Sequence, residues 1–161
     1  MDAQALEQAA AQYGDAIFRL ALQYTRHPSD AEDVLQEVLL ERLLHAPAFD
    51  SAEHEKRWLL RVAVNKSKNI LRSARRRPLS LEEVAEPFAP PQPSYRELYD
   101  AVLSLPRNQR LTLDLYYYEG YSTDEIAGLL GVRPATVRTW LRRARGKLKT
   151  LLKEAWDDDE S

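Results

Sequence analysis

Cysteine is absent from this chain, which excludes disulfides and thiolate metal sites. Glycine is scarce, five residues in 161, and no stretch shows the alternation of a half-buried strand. The predicted class is therefore all-α. No apolar run approaches the roughly 20 residues that a membrane span needs. The N-terminal MDAQALEQAAAQYGD lacks the basic start and apolar block of a signal peptide, so a cytoplasmic protein is expected. There is no Gly-rich phosphate loop and no HExxH pattern. The three histidines, His27, His45 and His54, lie apart and accompany no nucleophile. No internal repeat is visible. No catalytic residue, metal or cofactor is expected, and the chain reads as a binding protein.

What the chain does contain is uneven charge. The net charge is −2, yet Arg133 to Lys149 hold seven Lys or Arg and no acid. A near-neutral protein that concentrates cations on one helix is built to place that helix on an anion. The grammar of STDEIAGLLGVRPATVRTWLRRARGKLK, Ser122 to Lys149, is that of a helix-turn-helix. Ser122 with Glu125 forms a capping box. Ile126, Leu129 and Leu130 give the first helix an apolar face. Gly131 suits the left-handed end of a helix, and Pro134 suits the first turn of the next. In that second helix Val137, Leu141, Ala144, Leu148 and Leu151 share a face predicted to be buried. Arg138, Arg142, Arg145 and Lys149 fall on another, beside Thr139 and Arg143. Charge separated from core in this way makes double-stranded DNA the leading ligand. A solvated basic helix in an ordinary bundle would not need this turn chemistry.

The N-terminal half carries two further charged faces. A first helix is predicted to bury Tyr13, Ile17, Leu20, Ala21 and Tyr24, and His27-Pro28 to break it. From Asp30 a second helix packs Ala31, Val34, Leu35, Val38 and Leu39. Asp33, Glu37 and Glu41 recur every four residues on it, with Asp30 and Gln36 nearby. Such an acidic stripe is either solvated surface or a face suited to a basic protein partner. The third segment inverts the sign. Arg61, Asn65, Lys68 and Arg72 share one face, and Leu59, Val62, Ala63 and Ile70 the opposite one. Residues 65–77 hold six cations and no acid. Asn beside Arg offers hydrogen bonds to bases and charge to phosphates. Phe49 and Trp58 can supply either core or a stacking surface for an unpaired base.

Between the halves, residues 78–94 contain five Pro and three Glu, a composition of extended tethers. The predicted organisation is a helical domain over 1–77, a linker over 78–94, a helix-turn-helix domain over 95–155 and a disordered acidic tail over 156–161. Two basic helices, one per domain, suit a protein that touches two separated DNA segments.

Four blocks in this order, DAEDVLQEV, WLLRVAVNKSKNILRS, LPRNQRLTLDLYYYEGYSTDEIAGLLGV and ATVRTWLRRARGKL, resemble the extracytoplasmic-function (ECF) sigma factors, the smallest bacterial sigma-70-type transcription initiation subunits. The resemblance runs from Tyr13 to Leu152. It implies a sigma region 2 domain that binds the clamp of the largest subunit of core RNA polymerase through Asp33, Gln36 and Glu37. The same domain would open the −10 element and hold the melted strand with Lys56, Trp58, Arg61, Asn65, Lys68, Asn69, Arg72, Arg75 and Arg76. The segment Phe49 to Lys56 corresponds to a pocket for a flipped base. It further implies a region 4 domain that contacts the polymerase flap and reads the −35 element with Arg133, Thr136, Arg138, Thr139, Arg142, Arg143 and Arg145. The linker would pass near the RNA exit path, its acids mimicking nucleic acid. A cognate anti-sigma factor is an implied partner.

Three positions depart from the family pattern. Asn69 stands where Asp is common, Arg133 replaces a small polar cap, and Trp140 replaces smaller or polar residues; the residues alone leave the direction of Trp140 open. Tyr116, Tyr117 and Tyr118 are most simply core and interface. Two other classes fit parts of the chain: an operator-binding regulator with an N-terminal sensor half, and an adaptor whose basic helices bind acidic protein. Neither accounts for all four blocks.

Overall fold

The computed structural model describes residues 3–74 and 96–160. The predicted linker and the cations Arg75 and Arg76 lie outside the described residues. Every regular element among the described residues is helical, and the chain divides into two compact units, Met1–Pro87 and Phe88–Ser161.

The first unit is a bundle of α1 (Ala3–Thr25), α2 (Pro28–His45) and α3 (Ala52–Ala74), each packed on the other two. The break between α1 and α2 is built from local chemistry. Arg26 adopts a left-handed φ of 59° and donates its N–H to the Leu22 carbonyl at 2.8 Å, a capping conformation usually left to Gly. His27 is extended, as a residue before proline must be, and Pro28 opens α2, where its missing N–H is harmless. Thr25 stitches the break, its Oγ1 donating to the His27 carbonyl at 3.3 Å.

Ile17, Leu20 and Ala21 of α1, Ala31, Val34 and Val38 of α2, and Leu59, Leu60, Ala63 and Val64 of α3 form the core, each 2% exposed or less. Tyr13 and Tyr24 are buried as expected. On α3 the buried face differs from the expectation. Leu60, Val64 and Ser67 join it, whereas Val62 and Ile70 are only half-buried. The reason is that α3 touches both α1 and α2, so its covered stripe is centred one residue round from the predicted one.

The second unit comprises α4 (Arg96–Leu103), α5 (Arg107–Leu113), α6 (Thr123–Leu130) and α7 (Pro134–Glu160), with α7 packed on the other three. Leu111, Leu115, Ile126, Val137, Leu141 and Ala144 make its core. α5 runs on into a π-helical turn, Asp114–Tyr118, closed by Glu119 N–H donating to the Asp114 carbonyl at 3.0 Å. This wider turn was not foreseen, and it moves the tyrosines. Tyr116 is half-buried, but Tyr117 and Tyr118 are 61% and 71% exposed, not core.

The α6–α7 junction follows its sequence closely. Ser122 Oγ accepts from Glu125 N–H and Glu125 Oε1 from Ser122 N–H, both at 3.1 Å, a complete capping box. Gly131 is left-handed, φ 71° and ψ 37°. α7 begins at Pro134. Of its predicted buried face, Leu148 is half-buried and Leu151 exposed, because that face extends beyond what α4 to α6 cover. The predicted disorder of the tail is also corrected. α7 continues to Glu160, and no Gly or Pro follows Gly146 to stop it.

Candidate nucleic-acid and protein-binding faces

On α2 the side chains of Asp33, Gln36 and Glu37 are all exposed. With Asp30 and Leu40 they border a shallow groove whose other wall is Ile70 and Ser73 of α3. The acidic stripe is shorter than its four-residue period suggests. Glu41 is half-buried and lies 3.8 Å from Lys66 Nζ and 3.1 Å from His45 Nδ1. Leu40, Leu43 and Leu44 continue the helix as exposed apolar residues. Sequence reasoning missed this patch. The signal was available, since VLLERLL holds more apolar residues than one helix face can bury.

α3 presents its cations opposite the core. Asn65, Asn69 and Arg72 are exposed, and Arg61 and Lys68 half-buried. Arg72 Nη1 donates to Asn69 Oδ1 at 3.4 Å, so the amide that replaces the family's common carboxylate still meets a cation. Burial, reinforced by the Arg61 and Arg72 charges, lowers the Lys68 ammonium below the ordinary lysine range. Like charges held this close cost the free protein energy that an anion would relieve.

The segment from Ala46 to the first turns of α3 is tied down at several points. Ser51 Oγ accepts from His54 N–H at 3.0 Å, capping α3. Asp50 N–H donates to His54 Nδ1 at 3.1 Å. Phe49 meets the His54 and Trp58 rings edge-on, with centroids 5.3 and 5.7 Å apart. Tyr13 of α1 donates its hydroxyl to the Ala52 carbonyl at 3.1 Å. Burial first, then the charges of Glu55 and Glu53, raises that hydroxyl above the usual tyrosine range. Lys56 and Trp58 are half-buried at the same end of α3.

In the second unit Arg133, Arg138, Arg142, Arg143 and Arg145 are exposed, and Thr136, Thr139 and Trp140 half-buried. Arg138, Arg142 and Arg143 lie on α7 and Arg133 immediately before it, while the core side chains Val137, Leu141 and Ala144 are buried. Arg145 is different. Its Nε donates to Tyr117 Oη at 2.7 Å, and its guanidinium carbon stands 5.4 and 5.5 Å from the Tyr116 and Tyr117 ring centroids. Among the described residues no group of His, Asp and Glu is placed to hold a metal, and no helix is long and apolar enough to cross a membrane.

Two all-helical units, one carrying an acidic face and a basic face on adjacent helices and the other a helix-turn-helix with a cationic second helix, have the architecture of a DNA-binding protein. Comparison with known proteins makes this specific. Sigma-70 region 2 matches residues 9–77 and Sigma-70, region 4 matches residues 95–148. The chain belongs to the sigma-70 family, among its ECF sigma factors. It is 34% identical over 161 residues to the probable RNA polymerase sigma factor RfaY of Xanthomonas campestris pv. campestris, covering 89% of this chain but 39% of that protein. It is 31% identical over 153 residues to the ECF RNA polymerase sigma factor SigL of Mycobacterium tuberculosis, covering 89% of this chain and 86% of that one. The fold is also that of the Bartonella quintana sigma factor RpoE, solved in complex with the anti-sigma factor NepR. That match has a TM-score of 0.72 at 23% identity, over 93% of this chain and 98% of the other. The family consists of transcription initiation factors, so the chain is not an enzyme.

Proposed function

We propose that this chain binds core RNA polymerase and directs it to promoters by engaging the −35 and −10 elements and helping to melt the −10 region. The observation that carries the reading is the placement of opposite charge on adjacent helices of one bundle: Asp33, Gln36 and Glu37 exposed on α2, and Arg61, Asn65, Lys68, Asn69 and Arg72 along α3. A polymerase clamp takes the acidic face, and the DNA strand takes the basic one. Lys56 and Trp58, with the segment from Phe49, form the receiving end for an unstacked base, where binding offsets the unstacking cost. Arg75 and Arg76, further along the sequence, are assigned to the same DNA strand.

The second unit reads the −35 element with Arg133, Thr136, Arg138, Thr139, Arg142 and Arg143, and Arg145 is held at the edge of the same face by Tyr117. The domains run over 1–77 and 95–155. Residues 78–94 are the tether and 156–161 the acidic end. Core polymerase fixes the spacing of the domains, and once one element is bound the tether raises the effective concentration of the other domain. The protein works in the cytoplasm. A cognate anti-sigma factor restrains it; the Bartonella quintana RpoE was solved in complex with the anti-sigma factor NepR, and CnrH in complex with the cytosolic domain of CnrY.

The test is in vitro transcription with bacterial core polymerase on a promoter library, sequencing transcripts made with and without the protein. New start sites that share −35 and −10 motifs support the reading. Absence of new transcripts together with absence of core binding overturns it.

A further inference from the structure

Arg42 breaks the pattern of the helix that carries it. Val34, Val38 and Arg42 follow one another at four-residue spacing along the core side of α2, and Arg42 is only 6% exposed. An apolar residue there would extend the core without the cost of desolvating a guanidinium. What the arginine adds is reach. Its Nη2 donates to Glu55 Oε2 in the first turn of α3 at 3.0 Å. Its guanidinium carbon stands 5.5 Å from the Phe49 ring centroid. The ring it touches is the one that meets both His54 and Trp58 edge-on. One side chain of α2 therefore grips both the connection to α3 and the start of α3 itself.

This grip changes the part Phe49 plays. With Arg42, His54 and Trp58 all against it, Phe49 is a spacer that sets the attitude of the other two rings rather than a free stacking surface. Arg42 also lies only five residues beyond Glu37 on α2. The helix that presents the acidic docking face thus holds the receiving end for a −10 base.

We propose that Arg42 is a positioning residue for promoter recognition: through Glu55 and Phe49 it sets Trp58 and His54 as the wall against which a melted −10 base is received. This rests on the reading of Phe49 to Lys56 as the base-receiving segment. Arg42 acts through these groups and does not itself meet DNA.

The experiment uses holoenzyme reconstituted from core polymerase and the full chain, as wild type, Arg42→Lys, Phe49→Leu and the double variant. Each is titrated with single-stranded oligonucleotides that carry the −10 motif obtained from the promoter library, with every base substituted in turn. Core affinity is measured in parallel. Lysine keeps the charge of Arg42 but loses the planar fork that bonds Glu55 while lying over a ring. Each single variant is expected to lose about fivefold in discrimination at one −10 position. The double variant should lose no more than either single one, and core affinity should stay within about twofold throughout. Additive losses, undiminished discrimination in either single variant, or discrimination lost only in proportion to core affinity would each overturn the role of Arg42. Should Arg42→Lys not fold, Phe49→Leu, which leaves the Arg42–Glu55 pair in place, decides by the same criterion. A wild-type holoenzyme that transcribes from promoters yet shows no base preference at −10 overturns the base-receiving reading and, with it, this inference. A wild type that does not transcribe at all overturns the sigma-factor reading first.

Discussion

Arg145 donates through Nε to the hydroxyl of Tyr117 at 2.7 Å, across 28 positions of sequence. The bond joins α7, whose cations form the proposed DNA-binding face, to the π-helical turn at the end of α5. A residue that reads as one more groove-facing arginine is thus also part of the framework that holds the recognition helix.

Removing that link should cost stability where removing a neighbouring arginine does not. Arg145→Ala is expected to destabilise the C-terminal unit by about 1–2 kcal/mol, and Tyr117→Phe by about 0.5–1.5 kcal/mol. Arg142→Ala should stay within about 0.5 kcal/mol, as exposed substitutions do. Amide hydrogen exchange along α7 measures all three. Equal protection in Arg145→Ala and Arg142→Ala would remove the framework role.

The junction before the recognition helix offers a second check. Ser122→Ala deletes half of the capping box and is expected to cost about 1 kcal/mol. Gly131→Ala places a Cβ at φ 71° and is expected to cost about 1–2 kcal/mol. Both should lower the urea midpoint of the C-terminal unit and leave that of the N-terminal bundle unchanged.

Lys68 links charge to pH. Its folded-state pKa lies below that of an unfolded lysine, through burial first and then the charges of Arg61 and Arg72. Between those two values the unfolded chain binds more protons, so this group's contribution to stability rises as pH increases through the window. At neutral pH the charged form is a net burden on the fold. Lys68→Met is therefore expected to raise the thermal midpoint of the N-terminal bundle at pH 7. It should also lower the dependence of log affinity on log salt for −10 DNA by about 1. Thermal unfolding at pH 7 and pH 11 gives the sign, with the advantage of the variant shrinking at the higher pH.

The two functional faces should separate under mutation. Asp33→Ala with Glu37→Ala removes exposed charge from α2, and is expected to weaken core binding by about tenfold without altering helix content. Arg142→Ala or Arg143→Ala should reduce −35-dependent transcription by about 10- to 100-fold, the range for one lost base contact, while core affinity is retained. Core affinity and abortive transcription measured side by side on the same preparations check both. Unchanged core affinity in the acidic double variant would displace the clamp from this face.

What could be read directly from the residues was whatever depends on near neighbours along the chain. The capping box at Ser122, the left-handed Gly131, the break at His27-Pro28, the proline opening of α7, and the split between charged and apolar faces on α7 are set by contacts no more than three or four residues apart. The four sigma-like blocks are likewise strings of adjacent residues. Packing between helices settled the rest. Whether Val62 or Val64 is buried depends on how many helices flank α3. Whether Tyr117 is core or surface depends on a π-turn that no single residue announces. Leu40, Leu43 and Leu44 stay exposed because α2 turns the face that carries Val34, Val38 and Arg42 to the core. Arg42 meets Glu55 across 13 positions and Arg145 meets Tyr117 across 28. A sequence pattern records which face a side chain occupies. Only the fold says what stands opposite it, because a cation takes its partner from whichever element is packed alongside.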